Sequence, residues 1–144
     1  MHLQRVLISV VLAGLSCSAM AEPKYQKVDS NFKEMTLFMD VNSIQPKVDQ
    51  YKNRYLEATF VRAYASPKKM ETQNKYYTHL HETLSVDCLH GAYASSNWRW
   101  NINGKTIHRS AGKGDDWNKY DSSDRSTNAI SARALCKHYK SFLG

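Results

Sequence analysis

Four groups of side chains in this sequence have the types and spacing for chemistry or recognition. His79 and His81 stand two positions apart, so on an extended strand both imidazoles project from one face. Two imidazoles on one face are the start of a transition-metal site, with Glu82, Asp87 and His90 nearby in sequence. Glu82 and His90 have the opposite parity, so the set stops short of the three or four ligands that zinc needs, and no metal or other cofactor is assigned. Cys88 and Cys136 are the second group, able in principle to attack an electrophile or to pair with each other. Trp98 and Trp100, with Trp117, offer flat aromatic faces for sugar or peptide contact, or else bulk for a core. Lys47, Lys52, Arg54, Lys68 and Lys69 are basic enough together to form a recognition edge, the alternative being an ordinary solvated surface.

Enzyme signatures do not accompany these residues. There is no Gly-x-Ser-x-Gly elbow, no His-Glu-x-x-His helix and no glycine-rich phosphate loop. Asp115 and Asp116 lie side by side in a glycine-bearing stretch, the ordinary setting of solvated acids. The reading is therefore non-enzymatic. The formal charge of +7 over 144 residues favours encounter with acidic partners. The basic residues are scattered rather than clustered on one helix, which argues against nucleic acid.

The amino terminus explains how the two cysteines are expected to be used. Arg5, the apolar run from Val6 to Leu15 and the small residues Ala19 and Ala21 have the layout of a secretory signal, read as residues 1–21. That apolar run is too short for a permanent bilayer span, and no later segment has 18 consecutive apolar residues. Cys17 is the position a lipid anchor would use. Gly14 stands where a lipoprotein signal carries a Leu-like residue, so cleavage after Ala21 is the expected processing and lipidation at Cys17 the alternative. Cleavage leaves Cys88 and Cys136, and two cysteines in an exported domain of this size are expected to pair. A crosslink closing so long a loop is worth about 3–4 kcal/mol.

The elements that must position these groups follow from hydrophobic period. Residues 22–31 are polar and read as a flexible lead-in to one domain over 32–144. Met35, Leu37, Met39 and Val41 alternate with polar residues, the period of a strand. Residues 42–53 read as a turn or irregular return. Leu56, Ala58 and Phe60 share the face of a second strand, residues 66–75 read as an exposed loop, and residues 76–90 form a third strand with Leu80, Leu84, Val86 and Cys88 inward. Residues 97–102 and 105–110 flank Asn103-Gly104, a type I′ hairpin signal. After a polar loop, Ala129, Ala132, Leu135, Cys136 and Tyr139 recur at helical spacing behind a Ser126 or Thr127 cap. The expected fold is α+β: an antiparallel meander of about five or six strands, with the carboxy-terminal helix on one face and tied to it by the disulfide.

Several of these pieces, in this order, resemble the surface-adhesin E domain of exported Gram-negative proteins. They are Phe38-Met39-Asp40-Val41-Asn42-Ser43-Ile44, the strand ending Val86-Asp87-Cys88, the aromatic hairpin with its Asn103-Gly104 turn, the polar loop around Trp117, and the terminal helix carrying Cys136. The resemblance spans about residues 32 to 140. It implies an antiparallel sheet with a helix held on its concave side by a disulfide, a possible homodimer, and adhesion as a family role. The expectation is an exported binding protein, periplasmic or associated with the outer membrane. It would contact a host-matrix or envelope protein, or an anionic polysaccharide, through sheet face and loops. The alternative is a periplasmic inhibitor or immunity-type protein that blocks a toxin or a cell-wall enzyme.

Overall fold

In the computed structural model residues 21–143 are described, and for 141–143 the backbone only. The segment expected to be a signal, Cys17 included, lies outside the described residues up to position 20, as does Gly144. The described residues form one eight-stranded antiparallel sheet, a short 3-10 turn at Val41–Ser43 and one α-helix. The strands are β1 (Tyr25–Lys27), β2 (Met35–Asp40), β3 (Gln45–Val48), β4 (Arg54–Lys69), β5 (Tyr76–Asp87), β6 (Ala92–Ile102), β7 (Lys105–Ser110) and β8 (Asn118–Lys119), followed by α1 (Thr127–Leu143). Strand order is β1-β2-β4-β5-β6-β7, with β3 paired to β4 and β8 to β6. The long strands β4, β5 and β6 form the centre. β3 covers the start of β4 where β2 does not reach, and β8 does the same for the start of β6.

The alternation read from sequence places the core as expected. Leu37, Met39, Leu56, Ala58, Phe60, Leu84 and Val86 are buried together with Ala132 and Leu135 of α1. The alanines at 129 and 132 are fully buried, and their small side chains let the helix axis lie close to the sheet. The Ser126 hydroxyl accepts the Ala129 N–H at 3.3 Å, capping the first turn. Fully buried Ser131 donates its hydroxyl to the Thr127 carbonyl at 2.9 Å, so no polar group is stranded in the interface.

The sheet is larger than the sequence predicts. Residues 22–31 are more than a lead-in: β1 pairs with β2 in the register Gln26↔Met39, and Val28 enters the core. Residues 45–48, expected as irregular, form β3. β4 continues to Lys69, past a register shift between Ala63 and Lys68, into the stretch expected as loop. These segments carry little period-2 hydrophobicity, and their pairing comes from a neighbouring strand rather than from their own residues. The Asn103-Gly104 turn forms with φ of 49° and 74°, the positive pair that a type I′ turn requires.

Cys88 and Cys136 are bonded, with Cα atoms 5.8 Å apart across 48 positions. Cys88 is exposed in the turn just after β5 rather than on its inner face, so the bridge pins α1 to the rim of the sheet. Tyr120 packs its ring against Tyr93 and brings its hydroxyl to 3.9 Å from Cys136 Sγ. No helix among the described residues is long and apolar enough to cross a membrane.

Candidate functional site

A groove of about 1000 Å³ lies between α1 and the amino-terminal residues 26–32. Helix α1 has two stripes. One, Ala129, Ala132, Leu135, is buried on the sheet. The other, Ile130, Arg133, Ala134, Lys137 and His138, recurs at the same three- and four-residue spacing and lines the groove. Val28, Phe32 and Met39 supply the remaining apolar lining.

Around this apolar floor stand three cations, Arg125, Arg133 and Lys137, and one carboxylate, Asp29; Lys27 borders the groove through its strand, but it stands opposite Phe38 on the face turned away from α1. Among the described residues none of the three is within ion-pair distance of a carboxylate, although the Arg133 charge is near enough to Asp121 and Asp124 to help lower both carboxyls. Arg133 is held in place by backbone instead. Its Nη1 donates to the Asp121 carbonyl at 2.8 Å and its Nη2 to the Asp124 carbonyl at 2.6 Å. The Asp121 carboxylate accepts from the Ser123 hydroxyl and N–H, which hold it below the usual carboxylate range; the Ser126 N–H does the same for Asp124. Two of the five guanidinium N–H groups are thus used to fix the group. The arrangement suits an anion that also carries apolar surface.

The residues singled out from sequence are dispersed. Lys47, Lys52 and Arg54 lie at one end of β4, and Lys68 and Lys69 at the other, about 50 Å along the strand. Lys47 pairs with Glu57 at 3.0 Å, and Lys68 with Glu34 at 2.7 Å. They do not make one edge. Trp98 is partly buried, and Gly112 lies so close that an added Cβ would fall 2.5 Å from its ring. Trp100, also partly buried, packs on His108 with ring centres 5.2 Å apart. Trp117 stays 41% exposed and meets Tyr55 edge-on at 5.8 Å. No two indoles are in ring contact among the described residues, so they form no shared platform.

His79 and His81 do share the face away from the helix, in a small hollow of about 200 Å³ with Tyr25, Phe38, Val61 and Ala63. No third His, Cys, Asp or Glu joins them among the described residues. Glu82 points to the opposite face and accepts from Arg62, and Asp87 is taken by His90 at 2.7 Å. His81 lies 3.1 Å from an Arg99 nitrogen; burial first, then the Arg99 charge, push its pKa down to about 4. A neutral imidazole beside a guanidinium is a poor place for a second cation.

Sequence reasoning missed the groove. The signal was present as the second helical stripe through Ile130, Arg133 and Lys137, but its opposite wall is the segment read as a lead-in. No family model matches the chain, and neither a curated protein nor a solved structure does.

Proposed function

We propose that this chain is a non-enzymatic, exported binding protein of the bacterial envelope that holds an anionic partner in the groove between α1 and the amino-terminal strand. The observation that carries the reading is the set of three cations, Arg125, Arg133 and Lys137, beside an apolar floor, none of them in an ion pair among the described residues. The disulfide supports it, since a braced α1 keeps one groove wall fixed and reduces the ordering cost of binding. The resemblance to the surface-adhesin E domain points the same way, towards recognition rather than reaction. Asp87, Glu82 and His81 of β5 are each engaged with a neighbour instead of converging on a substrate position.

The test is binding of purified protein to a heparin hexasaccharide and to acidic proteins drawn from envelope and host-matrix extracts. Binding should weaken with salt, and the Arg125→Glu/Lys137→Glu double variant should lose about tenfold or more in affinity. Lys52→Glu/Lys69→Glu, which makes the same charge change away from the groove, should lose far less. Equal losses in the two variants would mean that overall charge, not the groove, does the binding.

A further inference from the structure

We propose that the groove takes an acidic peptide in extended form, added as a further strand along the free edge of β1. This rests on the reading of the groove as an anion site and names the class of partner it accepts.

β1 ends the strand order, so among the described residues no strand lies along its other side. The Val28 N–H donates to the Leu37 carbonyl at 2.8 Å, and Lys24 accepts from the Val41 N–H at 2.9 Å. With Gln26 opposite Met39, the backbone groups of residues 24, 26 and 28 face β2. Antiparallel alternation then turns the N–H and C=O of Tyr25 and Lys27 outward. Gln26, Lys27 and Val28 are also groove-lining residues, so the unpaired edge and the basic, partly apolar wall of α1 border the same space.

This combination selects the ligand. Three cations call for negative charge, which a polysaccharide or a lipid headgroup would also supply. An open strand edge calls for alternating N–H and C=O groups at strand spacing, which only a polypeptide supplies. Phe32, Ile130 and Ala134 can receive an apolar side chain from the same segment. A second copy of β1 is disfavoured, because it would set Lys24 and Lys27 against their own counterparts.

The experiment uses fluorescent heptapeptides alternating glutamate with valine, measured by anisotropy. Three controls run beside them: the same peptide N-methylated at alternate residues, its lysine-for-glutamate counterpart, and the heparin hexasaccharide. The acidic peptide should bind, the lysine peptide should not, and N-methylation should weaken binding about tenfold or more by removing strand pairing. Lys27→Pro deletes an outward N–H without touching the β1–β2 ladder and should cost about tenfold, against about two- to threefold for the charge control Lys27→Gln. If Lys27→Pro melts early, the methylated and unmethylated peptides decide the question on the unaltered protein. Undiminished binding of the methylated peptide, lost in Arg125→Glu/Lys137→Glu, would overturn strand addition while leaving the anion site intact. Failure of every anionic probe, heparin included, would overturn both. Concentration-dependent dimerisation abolished by Lys27→Pro would assign the edge to a second copy and likewise overturn the proposal.

Discussion

At the scale of single residues, the costliest side chains to disturb are polar ones. Glu82 is essentially buried. It accepts from Arg62 Nε and Nη2 through one oxygen, at 3.0 and 2.7 Å, and from the Ser95 hydroxyl through the other, at 2.7 Å. Arg62 reaches on to Asn128 at the start of α1, at 2.8 Å. Removing the cation strands a buried charge, so Arg62→Ala should lower unfolding free energy by about 3–5 kcal/mol in urea titration. Arg62→Met/Glu82→Leu should cost much less, because it removes the charge and its partner together. His81 sets a pH limb. In the folded state it takes a proton only near pH 4, whereas in the unfolded chain it does so near 6.5. The unfolded state therefore binds more protons between those values, and stability that is full above about pH 6.5 falls as pH drops towards 4. With the ring partly open to solvent, the loss should be about 1–2 kcal/mol. Urea midpoints measured from pH 8 to 4 should show this limb, and His81→Gln should flatten it.

At the scale of elements, two glycines separate conformational strain from crowding. Gly104 has φ of +74° with open space around its missing Cβ, so Gly104→Ala should cost only the strain of a left-handed turn, about 1 kcal/mol. Gly112 has φ of +63° and also lies against the Trp98 ring, where an added Cβ would clash. Gly112→Ala should cost about 2–4 kcal/mol and shift the Trp98 fluorescence, since either the loop after β7 or the indole must move. Helix α1 depends on its staple as well as on its buried stripe. Cys136→Ser should lower stability by about 3–4 kcal/mol, read from denaturation of the variant beside the oxidised protein. An unchanged midpoint would show that the sheet contacts of Ala132 and Leu135 suffice alone.

At the scale of the whole molecule, the groove belongs to neither of its walls. It exists because α1 rests on β2, β4, β5 and β6 while the chain before β2 runs alongside. Stability and binding should therefore be coupled through the bridge. Reducing the disulfide should weaken capture of the acidic heptapeptide and lower the melting temperature, with the loss of affinity appearing at temperatures where the sheet is still folded. Tertiary structure also scattered the lysines that seemed to form an edge. A single long strand carries them to opposite ends, and Glu57 and Glu34 neutralise two of them.

The sequence by itself determined the central strands, the hairpin turn, the helix with its buried stripe, and the pairing of Cys88 with Cys136. Each is encoded locally, by a period of two or 3.6 in apolar residues, by an Asn-Gly pair, or by two thiols that remain after the amino-terminal segment is set aside. Only the tertiary structure decided β1, β3 and β8, the aim of the tryptophans, and the groove. Those depend on which surface lies opposite: Tyr25–Lys27 becomes a strand because β2 offers it hydrogen bonds, and Arg133 becomes one wall of a site because residues 26–32 form the other. Periodicity along one segment carries no information about what stands across from it.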